Sequence, residues 1–163
     1  MSRREAPTGE FRYAKPIEVR FNDTDALGHV NNATYLTYFE AVRAGYYEAI
    51  AGRPFGVGEG AERHTFLVAE ATVVYRAPAF FGETLSVACR VTWASRSSFG
   101  LEYRVDAPRS DVADARLVAD GTTVQVMFDI KAQRVSRVPP DLLELIHRFE
   151  GVDALPPRPE RPR

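Results

Sequence analysis

Apolar positions follow two different periods in the first part of the chain. Residues 17–22 alternate between apolar and polar side chains, which predicts a half-buried β-strand with Ile17, Val19 and Phe21 on its inner face. From residue 35 to residue 50 the spacing becomes that of an amphipathic helix, whose apolar stripe consists of Tyr35, Leu36, Phe39, Val42, Tyr46, Ala49 and Ile50. The pattern therefore predicts a strand followed by a long helix.

Residues with known capping preferences mark the two ends of this helix. Asn31 fits the N-cap position, because its side-chain oxygen can accept a hydrogen bond from a backbone N–H group of the first turn. Gly52 and Pro54 mark the C-terminal end, since glycine readily adopts the left-handed conformation and proline cannot continue a helix.

Beyond Gly60 the apolar period changes from that of a helix to that of a strand. Turn-like segments separate the periodic stretches, which predicts four strands at residues 65–76, 84–93, 98–105 and 116–130. One face of the first of these strands reads Leu67, Ala69, Ala71, Val73 and Tyr75. A short C-terminal helix follows Pro140, with its apolar side formed by Leu142, Leu145, Ile146 and Phe149.

The order of these elements favours an α+β fold. One helix followed by a run of antiparallel strands is not the alternation typical of a doubly wound fold. A helix with so wide an apolar stripe is most simply buried by a curved antiparallel sheet of about five strands that wraps around it. The strand from Leu67 to Tyr75 is too apolar to remain an open edge, so we expect a second subunit to cover it and the protein to be at least a dimer.

The composition is that of an ordinary globular protein. The 163 residues allow one domain, which we place at residues 11–150, with mobile residues 1–10 and a Pro/Arg-rich disordered tail at 151–163. The net charge of −1 gives no basic field for nucleic acid, and no apolar run is long enough to span a membrane. One cysteine, Cys89, excludes an internal disulfide. No Cys/His cluster has the spacing of a structural zinc site, and we expect a soluble cytoplasmic protein.

The polar run at residues 22–32, between the first strand and the helix, carries the candidate chemistry. It contains two carboxylates, a histidine, a glycine and two asparagines, more than a simple connection requires. Asp25 is our candidate catalytic group, because the N-terminus of a helix stabilises negative charge and an ionised Asp can act as nucleophile or general base. The alternative is that Asp23 and Asp25 only cap the loop, and we assign Asp23 that structural role.

Two further parts of the run add to the candidate site. The first N–H groups of the helix, around Asn32 and Ala33, have no acceptor within the helix and could donate to an oxyanion on a substrate carbonyl. The alternative is that water or the side chain of Asn31 satisfies them, as at most helix starts. His29 could orient a water molecule or contact the substrate carbonyl, and it could equally be a loop residue that only forms hydrogen bonds. Gly28 provides a position where a positive φ is tolerated.

The segment from Asp23 to Asn32, continued by Tyr35, Glu40 and Arg43, resembles the hot-dog fold acyl-CoA thioesterases, and most closely the hydroxybenzoyl-CoA thioesterase family. The resemblance extends over about residues 16–139, where further matches are Tyr75 with Pro78, Phe81-Gly82-Glu83 and Ser97-Ser98. It implies a single hot-dog domain, dimers or tetramers with active sites at subunit interfaces, Asp25 as nucleophile or general base, and the backbone N–H of Asn32 as the donor that polarises the thioester carbonyl. It implies no metal or redox cofactor.

The chain also departs from related patterns. Many members of the family carry an apolar residue where His29 stands, so the chemistry does not require this histidine. Leu27 replaces the asparagine that acyl-carrier-protein thioesterases carry two residues before the histidine. The Gly-Asp-x-Asn-Pro-x-His run of the hydratase branch is absent.

The resemblance implies an acyl-CoA substrate, or an acyl thioester of a carrier protein. The acyl pocket would be lined by Tyr35 and Phe66, and the phosphates of CoA would be bound by arginines, for which Arg96, next to Ser97, and then Arg134 and Arg137 are the candidates. Two other functions remain open on the sequence, a non-catalytic acyl-CoA-binding module and an acyl-thioester dehydratase.

Overall fold

The computed structural model describes residues 5–52 and 64–160. These residues form two helices, six strands and one short 3₁₀ turn at Phe21–Asp23. In chain order, the helices and strands are β1 (Tyr13–Glu18), α1 (Thr34–Ala51), β2 (His64–Tyr75), β3 (Thr84–Ala94), β4 (Ser98–Ala107), β5 (Arg116–Asp129), β6 (Arg134–Val135) and α2 (Pro140–Glu150). The predicted order of elements is confirmed.

The strands form one antiparallel sheet with the order β1-β3-β4-β5-β2, and the short strand β6 pairs with β5. Helix α1 packs against one face of this sheet through most of the predicted apolar stripe, namely Tyr35, Phe39, Val42, Tyr46 and Ile50. The prediction was wrong for Leu36 and Ala49, which are exposed. Phe39 lies at the centre of this contact, where its ring stacks on Tyr103 of β4 with 4.2 Å between the ring centroids. The α+β fold predicted from the sequence, one long helix packed on an antiparallel sheet of about five strands, is confirmed.

The ends of α1 agree only in part with the prediction. The helix begins at Thr34, and not directly after Asn31, because Asn31 closes a turn that precedes it. The side-chain oxygen of Asn31 accepts the N–H of Ala33 at 2.9 Å, and its carbonyl accepts the N–H of Thr34 at 3.0 Å. At the other end Gly52 has a φ of +67° and terminates the helix, as predicted. Pro54 lies outside the described residues.

The alternating pattern at residues 17–22 predicted that Phe21 lies on the inner face of a strand, and this prediction was wrong. Strand β1 ends at Glu18, and Phe21 lies in the 3₁₀ turn with 75% of its surface exposed. The chain turns here because the carboxylate of Asp23 accepts the backbone N–H of Arg20 at 2.9 Å, which closes the turn. Alternation over so few residues could not distinguish the last residues of a strand from this turn.

Strand β2 lies at an edge of the sheet and carries a β-bulge between Val68 and Glu70. The extra residue reverses the alternation, so Phe66 and Val68, and not Leu67 and Ala69, share a face with Ala71, Val73 and Tyr75. The predicted single face of this strand is therefore wrong in its first half. Apolar side chains on the strand remain exposed, including Leu67 at 50%, Val68 at 46% and Tyr75 at 49%.

Both described terminal segments lie against the face of the sheet that α1 does not cover. Near the N-terminus, the carbonyls of Thr8 and Glu10 accept hydrogen bonds from Arg90, at 2.8 and 3.0 Å. Near the C-terminus, the carbonyl of Pro156 accepts the N–H of Ala94, and Arg158 forms a 2.8 Å ion pair with Glu70. Residues 1–4 and 161–163 lie outside the described residues, and the predicted mobility of both segments stays a prediction.

Neither helix of the described chain is long and apolar enough to cross a membrane. The cytoplasmic location stays a prediction.

The C-terminal segment makes a contact that fluorescence can report. The guanidinium carbon of Arg158 lies 5.3 Å from the ring centroid of Trp93, which is the one tryptophan of the sequence and is 8% exposed. We expect removal of residues 155–163 to shift the tryptophan emission to longer wavelength, because it uncovers the indole ring. Arg158→Ala should do the same more weakly and cost about 0.5–1 kcal/mol of unfolding free energy. Arg148→Ala, which breaks an exposed ion pair on α2, serves as the control. Unchanged emission in the truncated protein would contradict this contact.

Candidate active site

The polar loop at residues 22–32 is closed by its own backbone hydrogen bonds. The N–H of Asp25 donates to the carbonyl of His29, and the N–H of Gly28 donates to the carbonyl of Asp25, both at 3.0 Å. Gly28 has a φ of +80°, as its predicted role requires, since a side chain would be strained in that conformation. The loop therefore holds Asp25 and His29 opposite each other.

Two further hydrogen bonds hold the end of this loop, one across its base and one to the rest of the domain. The N–H of Asn31 donates to the carbonyl of Asp23 at 2.8 Å, and the N–H of Val30 donates to the carbonyl of Ala79 at 2.8 Å. Val30 itself is buried in the core. The loop is thus fixed at both of its ends and on the segment between β2 and β3.

The carboxylate of Asp23 lies beneath the loop and is 3% exposed. It accepts hydrogen bonds from Arg20, with 2.9 Å between Nη2 and Oδ1, and from the hydroxyl of Tyr38 on α1 at 3.0 Å. Burial alone would raise the pKa of Asp23, but these hydrogen bonds outweigh it and hold the pKa below its ordinary value of 3.8. This arrangement supports the structural role predicted for Asp23.

The carboxylate of Asp25 is only partly engaged. Its Oδ1 accepts the N–H of Leu27 at 2.9 Å and lies 3.9 Å from Nδ1 of His29. Within the described residues, Oδ2 of Asp25 has no hydrogen-bond donor. The side chain of Asp25 is 26% exposed. One oxygen thus fixes the orientation of the carboxylate, and the other remains available to react.

The backbone N–H of Asn32 is also unengaged. In the part of the chain that the structure describes it has no acceptor, whereas the carbonyl of Asn32 accepts the hydroxyl of Tyr75 at 2.8 Å. For Ala33 the alternative holds, because its N–H donates to Oδ1 of Asn31 at 2.9 Å.

Asp25 and Asn32 line the same open pocket, which has a volume of about 520 Å³ and is in the size range of small-molecule sites. The other lining residues come from the loop, the start of α1 and the end of β2, and are Leu27, His29, Val30, Tyr35, Tyr75, Arg76, Ala77 and Pro78. Tyr35 is 3% exposed, and its burial, together with the neighbouring Tyr75, raises the pKa of its hydroxyl to about 12. Its hydroxyl therefore stays protonated at neutral pH.

One wall of the pocket is supported by a buried ion pair. Arg116 bonds both the carboxylate of Glu83, at 2.7 Å, and the carbonyl of Pro78, at 2.8 Å. Glu83 is 1% exposed, and burial alone would raise its pKa, but the hydrogen bonds from Arg116 hold that pKa below its ordinary value of 4.5. The pair fixes the segment from Pro78 to Glu83 against β5.

The structure brings together four of the predicted site residues and leaves four apart. Asp25, His29, Asn32 and Tyr35 line the pocket. Phe66 instead packs between Tyr47 and Phe99, and Arg96, Ser97 and Arg134 lie at the β3–β4 turn and on β6. Within one chain these four do not reach the pocket, and their substrate-binding roles stay predictions.

Four lining residues at the end of β2 and directly after it were not predicted as site residues: Tyr75, Arg76, Ala77 and Pro78. The available signal was the pair Tyr75 and Pro78 directly after an apolar strand, which the sequence analysis used only as part of the resemblance. Arg76 forms a 2.6 Å ion pair with the buried Asp120 of β5, and only the strand pairing reveals that contact.

Among the described residues, no three His, Cys, Asp or Glu side chains lie close enough together to hold a metal ion.

A long helix on an antiparallel sheet, with a carboxylate and a backbone amide sharing a pocket at the start of the helix, is the arrangement that the resemblance to thioesterases implied. Residues 19–146 match the thioesterase-like superfamily, so the chain belongs to that superfamily. The resemblance to the hot-dog thioesterases is thereby confirmed.

Similar proteins agree with this assignment. The acyl-CoA thioester hydrolase YbgC of Escherichia coli O6:H1 is 32% identical over 91 residues, which are 55% of this chain and 66% of YbgC. A thioesterase of Thermus thermophilus, solved as a complex with coenzyme A and Zn, is 33% identical and has a TM-score of 0.72, with 92% of this chain and 98% of that chain covered. The chain spans less than two thirds of the length of the first curated relatives that it matches.

A further solved structure is similar in fold. The 1,4-dihydroxy-2-naphthoyl-CoA thioesterase Slr0204 of Synechocystis has a TM-score of 0.73 and 20% identity, with 85% of this chain and 97% of that chain covered.

The hydrogen bonds of Asp23 predict how stability depends on pH. Because the pKa of Asp23 is lower in the folded state, the unfolded chain takes up the proton first, so the stabilisation is complete above the ordinary pKa and is lost as pH falls through the lower folded value. We expect Asp23→Asn to cost about 1–3 kcal/mol at neutral pH and progressively less below about pH 4. Urea titrations at several pH values measure this, with Asp111→Asn at an exposed position as control. A cost that does not change with pH would contradict the assigned role.

Proposed function

We propose that this protein hydrolyses acyl thioesters, with acyl-CoA as the substrate class, and releases a free acid and a thiol. One observation carries the proposal. Asp25 and Asn32 line the same pocket, and each presents a group without a protein partner among the described residues, a carboxylate oxygen and a backbone N–H. These are the two groups that thioester hydrolysis needs, one to attack or to activate water and one to stabilise the oxyanion.

The N–H of Asn32 would polarise the thioester carbonyl. Attack on the carbonyl carbon makes the carbonyl oxygen negative, and a donor that is already in place stabilises this charge without reorganisation. One such donor is typically worth about 3 kcal/mol of transition-state stabilisation.

Asp25 supports either of two routes. As nucleophile, its Oδ2 forms a bond to the carbonyl carbon, and the C–S bond breaks so that the thiolate leaves. The thiolate takes a proton from a water molecule, and the resulting hydroxide attacks the mixed anhydride, which releases the free acid and restores the Asp25 carboxylate. As general base, Asp25 takes a proton from a water molecule that attacks the carbonyl carbon, and that proton passes to the departing sulfur. Both routes consume one water in total and give the same products.

His29 has a supporting role in this proposal. Its Nδ1 lies 3.9 Å from Oδ1 of Asp25 and 3.4 Å from the carbonyl of Val30, so it contacts the carboxylate oxygen that does not react. We expect His29→Ala to lower the rate less than a change at Asp25 does.

The direct test is the release of free thiol from a panel of short, long and aromatic acyl-CoAs. Asp25→Asn should lower kcat by about a hundredfold or more, because the amide is neither a base nor a nucleophile. Asp111→Asn, an isosteric change at an exposed position, should leave kcat unchanged, and thermal unfolding of both variants confirms the fold. Equal turnover by wild type and Asp25→Asn would remove Asp25 from the mechanism. Tight acyl-CoA binding without thiol release would favour a binding module, and hydration of an enoyl-CoA would favour a dehydratase.

We also propose that the protein acts as a homodimer or a larger homo-oligomer. The support is the edge strand β2, on which Leu67 and Val68 are half-exposed. The arrangement of the arginines that are candidates for binding CoA also supports an oligomer. The carbonyl of Ser97 accepts the N–H of Met127, and that of Arg96 accepts the N–H of Val138, so the β3–β4 turn and the segment after β6 form one surface. Arg96 and Arg134 on this surface could bind CoA phosphates only at the pocket of another copy.

Molecular mass in solution tests the proposed oligomer. Sedimentation equilibrium should give a multiple of the 18.2 kDa chain mass for the wild type. Leu67→Lys should lower that mass, because it places a charge on the edge strand. Val112→Lys, at an equally exposed apolar side chain of the β4–β5 loop, should not. A wild type of single-chain mass at micromolar concentration would contradict the proposal.

A further inference from the structure

Tyr75, the last residue of strand β2, connects the sheet to the residue that precedes α1 by two positions. Its hydroxyl donates to the carbonyl of Asn32 at 2.8 Å. Its ring packs edge to face on the buried ring of Tyr35, with 5.4 Å between the centroids. Tyr75 thus binds the carbonyl of Asn32, the residue whose N–H is the candidate oxyanion donor.

The neighbours of Asn32 are held by bonds within the loop, but Asn32 itself is not. The N–H of Asn31 is bound by Asp23, and the N–H of Ala33 is bound by the side chain of Asn31. In the described chain, the bond from Tyr75 is the one hydrogen bond that reaches Asn32. The peptide that carries the Asn32 N–H is held through the carbonyl of Asn31, which accepts the N–H of Thr34. The carbonyl of the following peptide is held by Tyr75, which fixes Asn32 on its other side.

The donor is itself rigidly placed. Tyr75 pairs with Ala119 in the β2–β5 ladder, and the following N–H, that of Arg76, donates to the carbonyl of Val118 at 2.8 Å. A phenol ring carries its hydroxyl at the end of only two rotatable bonds, and contact with Tyr35 restricts both of them. The bond therefore fixes the position of Asn32 relative to the sheet.

We propose that Tyr75 is a positioning residue that holds the backbone N–H of Asn32 in line for the oxyanion. This inference rests on the proposed thioester hydrolysis. An oxyanion donor is effective only when it is preorganised, and a displacement of about 1 Å can lower a rate by about a hundredfold. Tyr75 acts through Asn32, so its effect should fall on the chemical step rather than on substrate binding.

Tyr75→Phe tests this inference, because it removes only the hydroxyl. We expect kcat for the best acyl-CoA of the panel to fall about tenfold to a hundredfold, with KM changed by no more than about twofold and with the shape of the pH profile unchanged. Tyr46→Phe is the matched control, since it also removes a hydroxyl that forms a hydrogen bond, here to Glu150 and away from the pocket. It should lower the unfolding temperature and leave kcat unchanged. A Tyr75→Phe enzyme with the kcat of wild type would overturn the proposal.

Amide hydrogen exchange measured by NMR gives a second readout that does not depend on turnover. Loss of the bond should speed the exchange of the Ala33 amide in Tyr75→Phe relative to wild type, because this hydrogen-bonded amide belongs to the same peptide as the Asn32 carbonyl. Amides of the core strands should remain unchanged. If the wild type releases no thiol from any acyl-CoA, the proposed function fails, while the exchange data still decide whether Tyr75 holds Asn32. Unchanged exchange at the Ala33 amide would overturn the positioning role.

Discussion

The hydrogen bonds of Asp23 are the constraint on which the site depends. Its carboxylate joins Arg20, two residues after the first strand, to Tyr38 on the long helix, and its carbonyl accepts the N–H of Asn31. One buried residue therefore ties together the strand, the loop and the helix. Removing the hydrogen-bond partners of a buried carboxylate costs far more free energy than the same change at the surface. The hydrogen bonds that Asp23 accepts are therefore what allows an acidic residue to occupy this position.

Two residues that line one pocket, Asp25 and Asn32, each keep a polar group without a protein partner among the described residues. A loop of ordinary sequence would satisfy both groups locally, as the side chain of Asn31 does for Ala33. Asp25 instead uses only one carboxylate oxygen for the loop, and Asn32 uses only its carbonyl. Sites where a chain leaves polar groups without protein partners are frequently functional, because a substrate can interact with those groups.

The sequence predicted the fold and the central part of the site because both depend on local patterns. The apolar period identified α1 and the strands, and the dense polar run identified Asp25 and Asn32. The sequence could not reveal the bulge in β2, since an inserted residue leaves the composition of the strand unchanged and only the pairing with β5 exposes it. It also missed Tyr75, because the contact with Asn32 joins residues 43 positions apart.

The central claim is that Asp25 and the N–H of Asn32 act on the same carbonyl group. The most direct measurement is a crystal structure with an acyl-CoA analogue in which a methylene replaces the thioester sulfur, so that the carbonyl is retained and cannot be hydrolysed. The account predicts the analogue's carbonyl oxygen about 3 Å from the nitrogen of Asn32 and its carbonyl carbon about 3–3.5 Å from Asp25 Oδ2 or from a water bound to it. A carbonyl bound elsewhere, with Asp25 turned away from it, would contradict the account.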